Sequence, residues 1–184
     1  MYLVSVYFDK ITTKRIQTLI DQIALTSGNH YMIEKQVPPH MTLSAIEARS
    51  VDLFIPTIKQ LENKLYSGTI QFVTVGQLFP YVLYTMPVLN PYLQELALQI
   101  NNAVSGIPET TISKYYRPQS WLPHVTLAKT LSKEEMQRAF CVVQERFSFF
   151  EAQVTEIGLA KVNPHNDVLR YALKNTTTKD FANL

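Results

Sequence analysis

The sequence predicts an α+β fold built from two similar halves, and three observations carry that reading. Strand-like and helix-like segments follow one another in the same order twice. A pentapeptide near the middle of the first half, Pro39-His40-Met41-Thr42-Leu43, returns in the second as Pro123-His124-Val125-Thr126-Leu127, its histidine 84 positions further on. No linker or low-complexity stretch separates the halves. The expected organisation is therefore one compact domain, residues 1–184, of two pseudo-symmetric lobes, with sequence repeats at about 1–79 and 80–174.

Residues 2–8, YLVSVYF, are rich in β-branched and aromatic side chains and stop at Asp9-Lys10, which reads as a strand. Ile16, Leu19, Ile20 and Ile23 recur at helical spacing and Gly28 follows as a stop, so an amphipathic helix comes next. A polar connection carrying His30, Glu34 and Lys35 leads to Pro38-Pro39, which disfavours helix and sets up an extended segment around His40. Ser50 and Asp52 open a second helix with Phe54, Ile58, Leu61 and Leu65 on one face and Gly68 at its end. Residues 69–79 read as a strand.

The second half repeats this programme. Residues 80–89 read as a strand; Asn90 and Pro91 are N-cap and first residue of a helix with Leu93, Leu96, Ala97, Ile100 and Val104 inward and Gly106 after it. A connection over 107–122 reaches the second pentapeptide. Ser132 and Glu135 form a capping box for a helix with Met136, Ala139, Phe140, Val143 and Phe147 on its apolar stripe. Strands at about 149–162 and 168–174 follow, joined by a turn at Asn163-Pro164-His165-Asn166-Asp167. Val154-Thr155-Glu156-Ile157-Gly158 echoes Val73-Thr74-Val75-Gly76 with one residue inserted.

Composition bounds the function. Hydrophobic content of 46% and charged content of 17% describe a chain with a real core. A net charge of +2 is too small to hold long nucleic acid by electrostatics alone, while a short anionic substrate fits. The single cysteine, Cys141, excludes an internal disulfide and a cysteine-rich zinc site, and its apolar helical setting predicts a buried small hydrophobe. No run of apolar residues reaches the length of a membrane span, so a soluble, cytoplasmic protein with no membrane association is expected.

The repeated pentapeptide is where the chemistry lies. In a strand, side chains alternate between faces, so His40 points with Thr42 and His124 with Thr126. Met41, Leu43, Val125 and Leu127 then turn to the opposite face, into a core. In a duplicated fold the two motif strands can face each other across a groove. Two imidazoles so placed suit a reaction that takes a proton at one end and gives one at the other, since one can be neutral and the other protonated near neutral pH. A hydroxyl two residues along can donate a hydrogen bond to a charged oxygen at the reacting centre. In-line phosphoryl transfer needs that set of groups.

The paired His-x-Thr motifs, each with Pro before and Leu after, resemble those of the 2H phosphoesterase superfamily, which includes LigT-like 2′-5′ RNA ligases and cyclic phosphodiesterases. The strand–helix–motif–helix–strand order extends the resemblance over nearly the whole chain. It implies a bilobal fold of two antiparallel sheets facing a central groove with helices outside, in which lobes need not coincide with sequence halves. It also implies metal-free opening of a 2′,3′-cyclic phosphate or cleavage of a 2′-5′ phosphodiester, or the reverse ligation, with no cofactor. The substrate would be a nucleotide or an RNA-terminal phosphate, and no obligate protein partner is inferred. His40 and His124 would be the acid–base pair, and Thr42 and Thr126 the donors to phosphate oxygens. A small cyclic phosphate such as ADP-ribose 1″,2″-cyclic phosphate is a related substrate. From another class, the same groove would serve a silent nucleotide or RNA-end binding module.

Outside the motifs, the loop Tyr115-Tyr116-Arg117-Pro118-Gln119-Ser120-Trp121 offers rings and a guanidinium just before the second motif. It reads either as a base-stacking and phosphate-contacting loop, with Tyr115, Tyr116, Arg117 and Trp121 binding substrate, or as the anchor of a long connection. Lys129 falls where LigT-like proteins often carry a basic residue. His30, His165 and Arg170 read as solvated surface residues. No metal site is expected, because each motif supplies one histidine with no further ligand at zinc spacing.

Overall fold

A computed structural model describes residues 1–162 and 165–175. β1 (Tyr2–Phe8) runs into α1 (Lys10–Ser27), whose N-cap Asp9 accepts from the Thr12 amide at 3.1 Å and whose apolar stripe of Ile16, Leu19, Ile20 and Ile23 is buried. α1 ends at Gly28 with φ +82°, a left-handed conformation that a side chain would disfavour. One turn, α2 (Tyr31–Glu34), interrupts the polar connection and buries Met32 before β2 (Met41–Glu47).

The helix expected after Ser50 is shorter than its apolar spacing suggests. A 3-10 turn over Val51–Leu53 precedes α3 (Ile55–Gln60). Pro56 has no amide hydrogen to continue the ladder across Leu53–Phe54, and Asn63 at φ +62° turns the chain away before Leu65. Phe54, Ile58 and Leu65 are buried all the same, so the pattern reports burial correctly and helix length wrongly.

β3 (Gly68–Leu78) and β4 (Val82–Pro87) form a hairpin that leads to α4 (Pro91–Ser105), where the Asn90 side chain accepts from the Leu93 amide at 2.9 Å as the N-cap. The connection over 107–122 holds a short strand, β5 (Thr111–Ile112), and a 3-10 turn at Lys114–Tyr116. β6 (Val125–Ala128) precedes α5 (Lys133–Arg146), whose capping box is complete: Glu135 donates its amide to Ser132 Oγ at 3.2 Å and accepts from the Ser132 amide at 2.6 Å. α5 buries Met136, Ala139, Val142 and Val143. Phe140 sits at the exposed margin of that stripe, and Cys141, expected inside, faces outward. β7 (Phe150–Lys161) and β8 (Asn166–Ala172) follow; Asn163 and Pro164 of the expected turn lie outside the described residues.

The strands form one antiparallel network in the order β5-β2-β1-β7-β3-β4-β6, with β8 added to β7. The two sheets implied by the resemblance are two wings of this network, fused along β7. Its residues 154–161 pair with β1, 150–154 pair with β3, and 156–161 pair with β8. Helices cross between the wings: α1 packs on α5 and against β6, while α4 packs against β2 and β3. Each half of the chain thus lends its first helix to the other half's motif strand. A single apolar core results, in which Met41, Leu43, Val125 and Leu127 are all at most 1% exposed. Each such burial stabilises by about 1.5–3 kcal/mol, and a one-residue slip of either motif strand would forfeit it.

Candidate active site

Both motif histidines stand immediately before their strands, where Pro39 and Pro123 hold the chain extended. Each ring is locked by the same bond. His40 Nδ1–H donates to the Pro38 carbonyl at 2.8 Å, and His124 Nδ1–H donates to the Leu122 carbonyl at 2.8 Å. A carbonyl only accepts, so the proton sits on Nδ1 and Nε2 of each ring is left bare, ready to take a proton. Both side chains are half-buried, and they are near enough for charge on His124 to act on His40.

The threonines occupy unequal surroundings. Thr42 is buried and its Oγ1 lies 3.4 Å from Ser5 Oγ, its cross-strand neighbour on β1. Thr126 is half-buried and pairs across the ladder with Tyr84 of β4. A tyrosine attends each histidine: the Tyr7 ring is 6.2 Å from that of His40, and the Tyr84 ring is 5.3 Å from that of His124. Each also lies across a glycine. A Cβ built on Gly158 would come within 2.9 Å of the Tyr7 ring, and one on Gly76 within 2.5 Å of the Tyr84 hydroxyl oxygen. The recurring glycine of the Val-Thr echo therefore makes room for an aromatic ring at each end of the site.

Around His40 the structure adds groups that the sequence pattern assigns to solvent. His165 is only 11% exposed at its side chain, and its ring is 5.7 Å from that of His40. His165 Nε2–H donates to Asp167 Oδ1 at 3.1 Å, and Tyr7 donates its hydroxyl to the same oxygen at 3.1 Å. Arg170 lies 3.8 Å above the Tyr7 ring and pairs with Glu156, with a looser contact to Asp167 at 3.7 Å. Tyr7 does carry a local signal: Ser5 and Tyr7 are the polar members of one face of β1, opposite Val4, Val6 and Phe8. His165 and Arg170 carry no such signal, since their partners come from far along the chain.

The aromatic loop divides. Trp121 Nε1–H donates to the Thr42 carbonyl at 2.9 Å and its ring packs on the core, so it ties the connection to the first motif strand. Tyr116 is half-buried, and burial raises its hydroxyl above the usual range. Tyr115 is 68% exposed with the Lys114 ammonium 5.2 Å from its ring, and Arg117 is exposed. Lys129 points to α2, its ammonium 6.0 Å from the Tyr31 ring. Trp121 is thus the loop residue that the fold brings to the motif.

Burial pushes His40 down to about 4, against its carbonyl bond, and charge on His165 and on His124 pushes the same way. Burial also pushes His124 below the usual histidine range. Two imidazoles with bare Nε2 atoms, both biased toward the neutral form and flanked by hydroxyls, can take a proton from an attacking hydroxyl and return it to a leaving oxygen.

Comparison with known proteins agrees with this architecture. The model of the 2′-5′ RNA ligase superfamily matches residues 12–166. No curated protein matches at the sequence level. The crystal structure of a phosphoesterase superposes with a TM-score of 0.58 at 16% identity, covering 94% of this chain and 97% of that one. Escherichia coli LigT complexed with 3′-AMP gives 0.55 at 16% identity, covering 94% and 97%. A Thermus thermophilus protein gives 0.58 at 14% identity, covering 96% and 99%. With most of its length matched by the family model and the same fold in these structures, the chain belongs to the 2′-5′ RNA ligase superfamily.

Proposed function

We propose that the chain is a metal-independent phosphoesterase acting on an RNA-type 2′,3′-cyclic phosphate or a 2′-5′ phosphodiester, by hydrolysis or the reverse ligation. The observation that carries this reading is the matched locking of His40 and His124, each with Nδ1–H on a carbonyl two residues back at 2.8 Å and Nε2 bare. One imidazole takes the proton of the attacking water or hydroxyl as the new P–O bond forms. The other delivers a proton to the ester oxygen as the old bond breaks. Thr42 and Thr126 donate to the non-bridging oxygens, where charge builds in the transition state. Since acid, base and oxygen donors are all side chains, the scheme needs no metal.

Burial leaves both rings poor in protons, so the substrate matters to the acid. An anionic phosphodiester placed between them favours the protonated form of the nearer imidazole and opposes the desolvation that depresses it. Family membership supports the phosphodiester class. Of the structural relatives, LigT has been seen with 3′-AMP, ATP, NADP+ and phosphate, ligands that share a phosphate group.

The test is turnover of nucleoside 2′,3′-cyclic monophosphates and a 2′-5′-linked adenylate without added metal, by wild type, His40→Ala and His124→Ala. Turnover by the wild type with a loss of at least about a hundredfold in each variant is expected. A wild type that binds nucleotide but turns over neither substrate would leave the groove as a binding module.

A further inference from the structure

The turn that joins β3 to β4 is written Leu78-Phe79-Pro80-Tyr81-Val82, where hairpin tips ordinarily carry glycine, asparagine, aspartate or serine. Phe79 is 85% exposed and Tyr81 59%, so neither ring contributes to the core. The tip is nonetheless fastened on both arms. Gln77 Nε2–H donates to the Pro80 carbonyl at 3.1 Å, and the Leu131 amide, in the connection from β6 to α5, donates to the Tyr81 carbonyl at 3.1 Å. Two apolar rings are thus held in water at a fixed place.

Register places this tip beside the second motif. Tyr84 pairs with Gly76 across the hairpin and with Thr126 across the next ladder, and its ring is 5.3 Å from that of His124. Leu78 pairs with Val82 two positions further on, and alternation puts both on the face of Tyr84, opposite the buried Leu83. That face runs from the motif, over the Tyr84 ring, to a shelf of Leu78 and Val82 with Phe79 at its edge. Val82 is two strand residues, about 7 Å, from Tyr84, a distance that a ribose and a base span together. The chemistry of the shelf selects its occupant. Four side chains fall far short of the roughly 20–30 residues that each side of a stable protein interface contributes. A flat apolar ring in water beside a phosphate site suits a nucleobase, which stacks on aromatic faces. Trp121, the ring nearest the first motif, is already committed to the Thr42 carbonyl and the core.

We propose that Phe79 is a base-stacking residue: over the Leu78 and Val82 shelf it receives the nucleobase of a bound nucleotide whose phosphate sits at the two motif histidines. The assignment rests on the reading of those histidines as a phosphate site. It adds that the substrate carries a base on the β4 side of them, so that a nucleotide is preferred to a bare sugar phosphate.

The experiment is an NMR titration of the full-length wild type, Phe79→Ala, Phe79→Trp and Phe149→Ala with 3′-AMP and, separately, with inorganic phosphate. Phe149, an exposed ring just before β7, controls for the loss of any surface aromatic. Because Phe79 lies outside the core, its variants should fold as the wild type does. Phe79→Ala should weaken 3′-AMP binding at least about fivefold and leave phosphate affinity unchanged. Phe79→Trp should hold or strengthen 3′-AMP binding, and Phe149→Ala should match the wild type. The Phe79 ring resonances should shift with 3′-AMP and stay in place with phosphate. Unchanged 3′-AMP affinity in Phe79→Ala overturns the proposal, and so does an equal loss for phosphate, which would report a disturbed hairpin. A concentration-dependent dimer that Phe79→Ala abolishes, with 3′-AMP affinity unchanged, would make the tip a contact between copies instead. If 3′-AMP stacks on Phe79 but the wild type turns over no phosphodiester, the proposed activity fails and the base site stands. If the wild type turns over a nucleoside 2′,3′-cyclic monophosphate with a KM unmoved by Phe79→Ala, the activity stands and the base site fails.

Discussion

The two motif strands share the same pentapeptide and differ in what surrounds it. His40 has the Tyr7 and His165 rings beside it, with Asp167 bonded to both and Arg170 over Tyr7; its threonine is buried, and the Trp121 indole donates to the carbonyl of that threonine. His124 has Tyr84 beside it and a half-buried threonine. The backbone bond that orients each imidazole is identical, so repetition preserved what fixes the ring and let the electrostatics diverge. If the two histidines are the acid–base pair proposed above, unlike surroundings are what would let like groups hold different protonation states.

Tests of this asymmetry begin with the strongest expected effect. Replacing either histidine by alanine should lower kcat at least about a hundredfold with little change in KM; a large loss in only one variant would mean that the halves do not act as a pair. Next come the glycines beneath the tyrosines. At Gly158 a Cβ meets the Leu169 carbonyl oxygen at 3.0 Å as well as the Tyr7 ring, and backbone cannot step aside. Gly158→Ala should therefore cost about 1–3 kcal/mol, read as a lower melting temperature. At Gly76 the nearest atoms belong only to the Tyr84 ring and its hydroxyl, which can swing away. Gly76→Ala should melt close to wild type and lose activity instead. Equal melting losses would show that the two sites are equally rigid.

The threonines should separate along the same line. Thr126→Val is expected to reduce kcat about tenfold with unchanged stability, as loss of one oxygen donor in a partly open site would. Thr42→Val should show a comparable kinetic loss plus about 1 kcal/mol of stability, because Ser5 Oγ is left buried without that neighbour. Thermal melts and steady-state kinetics of the two variants check both.

The mildest effect is in the pH dependence. With His40 pushed down to about 4 and His124 below its usual range, both limbs of the kcat/KM profile belong on the acid side. The optimum should fall below about pH 6.5, the unperturbed histidine value; an optimum above pH 8 would contradict the burial of both rings. Stability carries the same sign. The unfolded chain binds protons at these histidines before the folded one does, so folding free energy should decline as pH falls from about 6.5 toward 4, with a shallower decline in His40→Gln.

Much of this is legible in local patterns. Alternation in the pentapeptides separates Met41, Leu43, Val125 and Leu127 from the histidine face, and helical spacing finds the buried stripes of α1 and α4. Caps at Asn90 and Ser132 mark helix starts because they act through neighbours three residues away. The failures share a cause. Pro56 shortens α3 through one missing amide, a defect that apolar spacing does not record. Phe140 and Cys141 face outward because the α5 stripe centres on Ala139 and Val143, and its margin depends on what α1 leaves uncovered. His165 becomes part of the site only because Asp167 meets Tyr7 across 160 residues, a contact with no trace in local sequence.

The fusion of the wings along β7 also bears on how the chain folds. β1 is hydrogen-bonded on one edge by β2, which lies close in sequence, and on the other by residues 154–161. During synthesis β1 and β2 emerge early, but the second edge of β1 stays unpaired until β7 leaves the ribosome. The pairing that completes β1 spans most of the chain, a loop closure of the kind that slows folding. Until then the open edge of a strand bearing Val4, Val6 and Phe8 invites pairing with other chains. Late arrival of a single strand thus sets the interval in which the protein is most exposed to aggregation, and the same strand ends it.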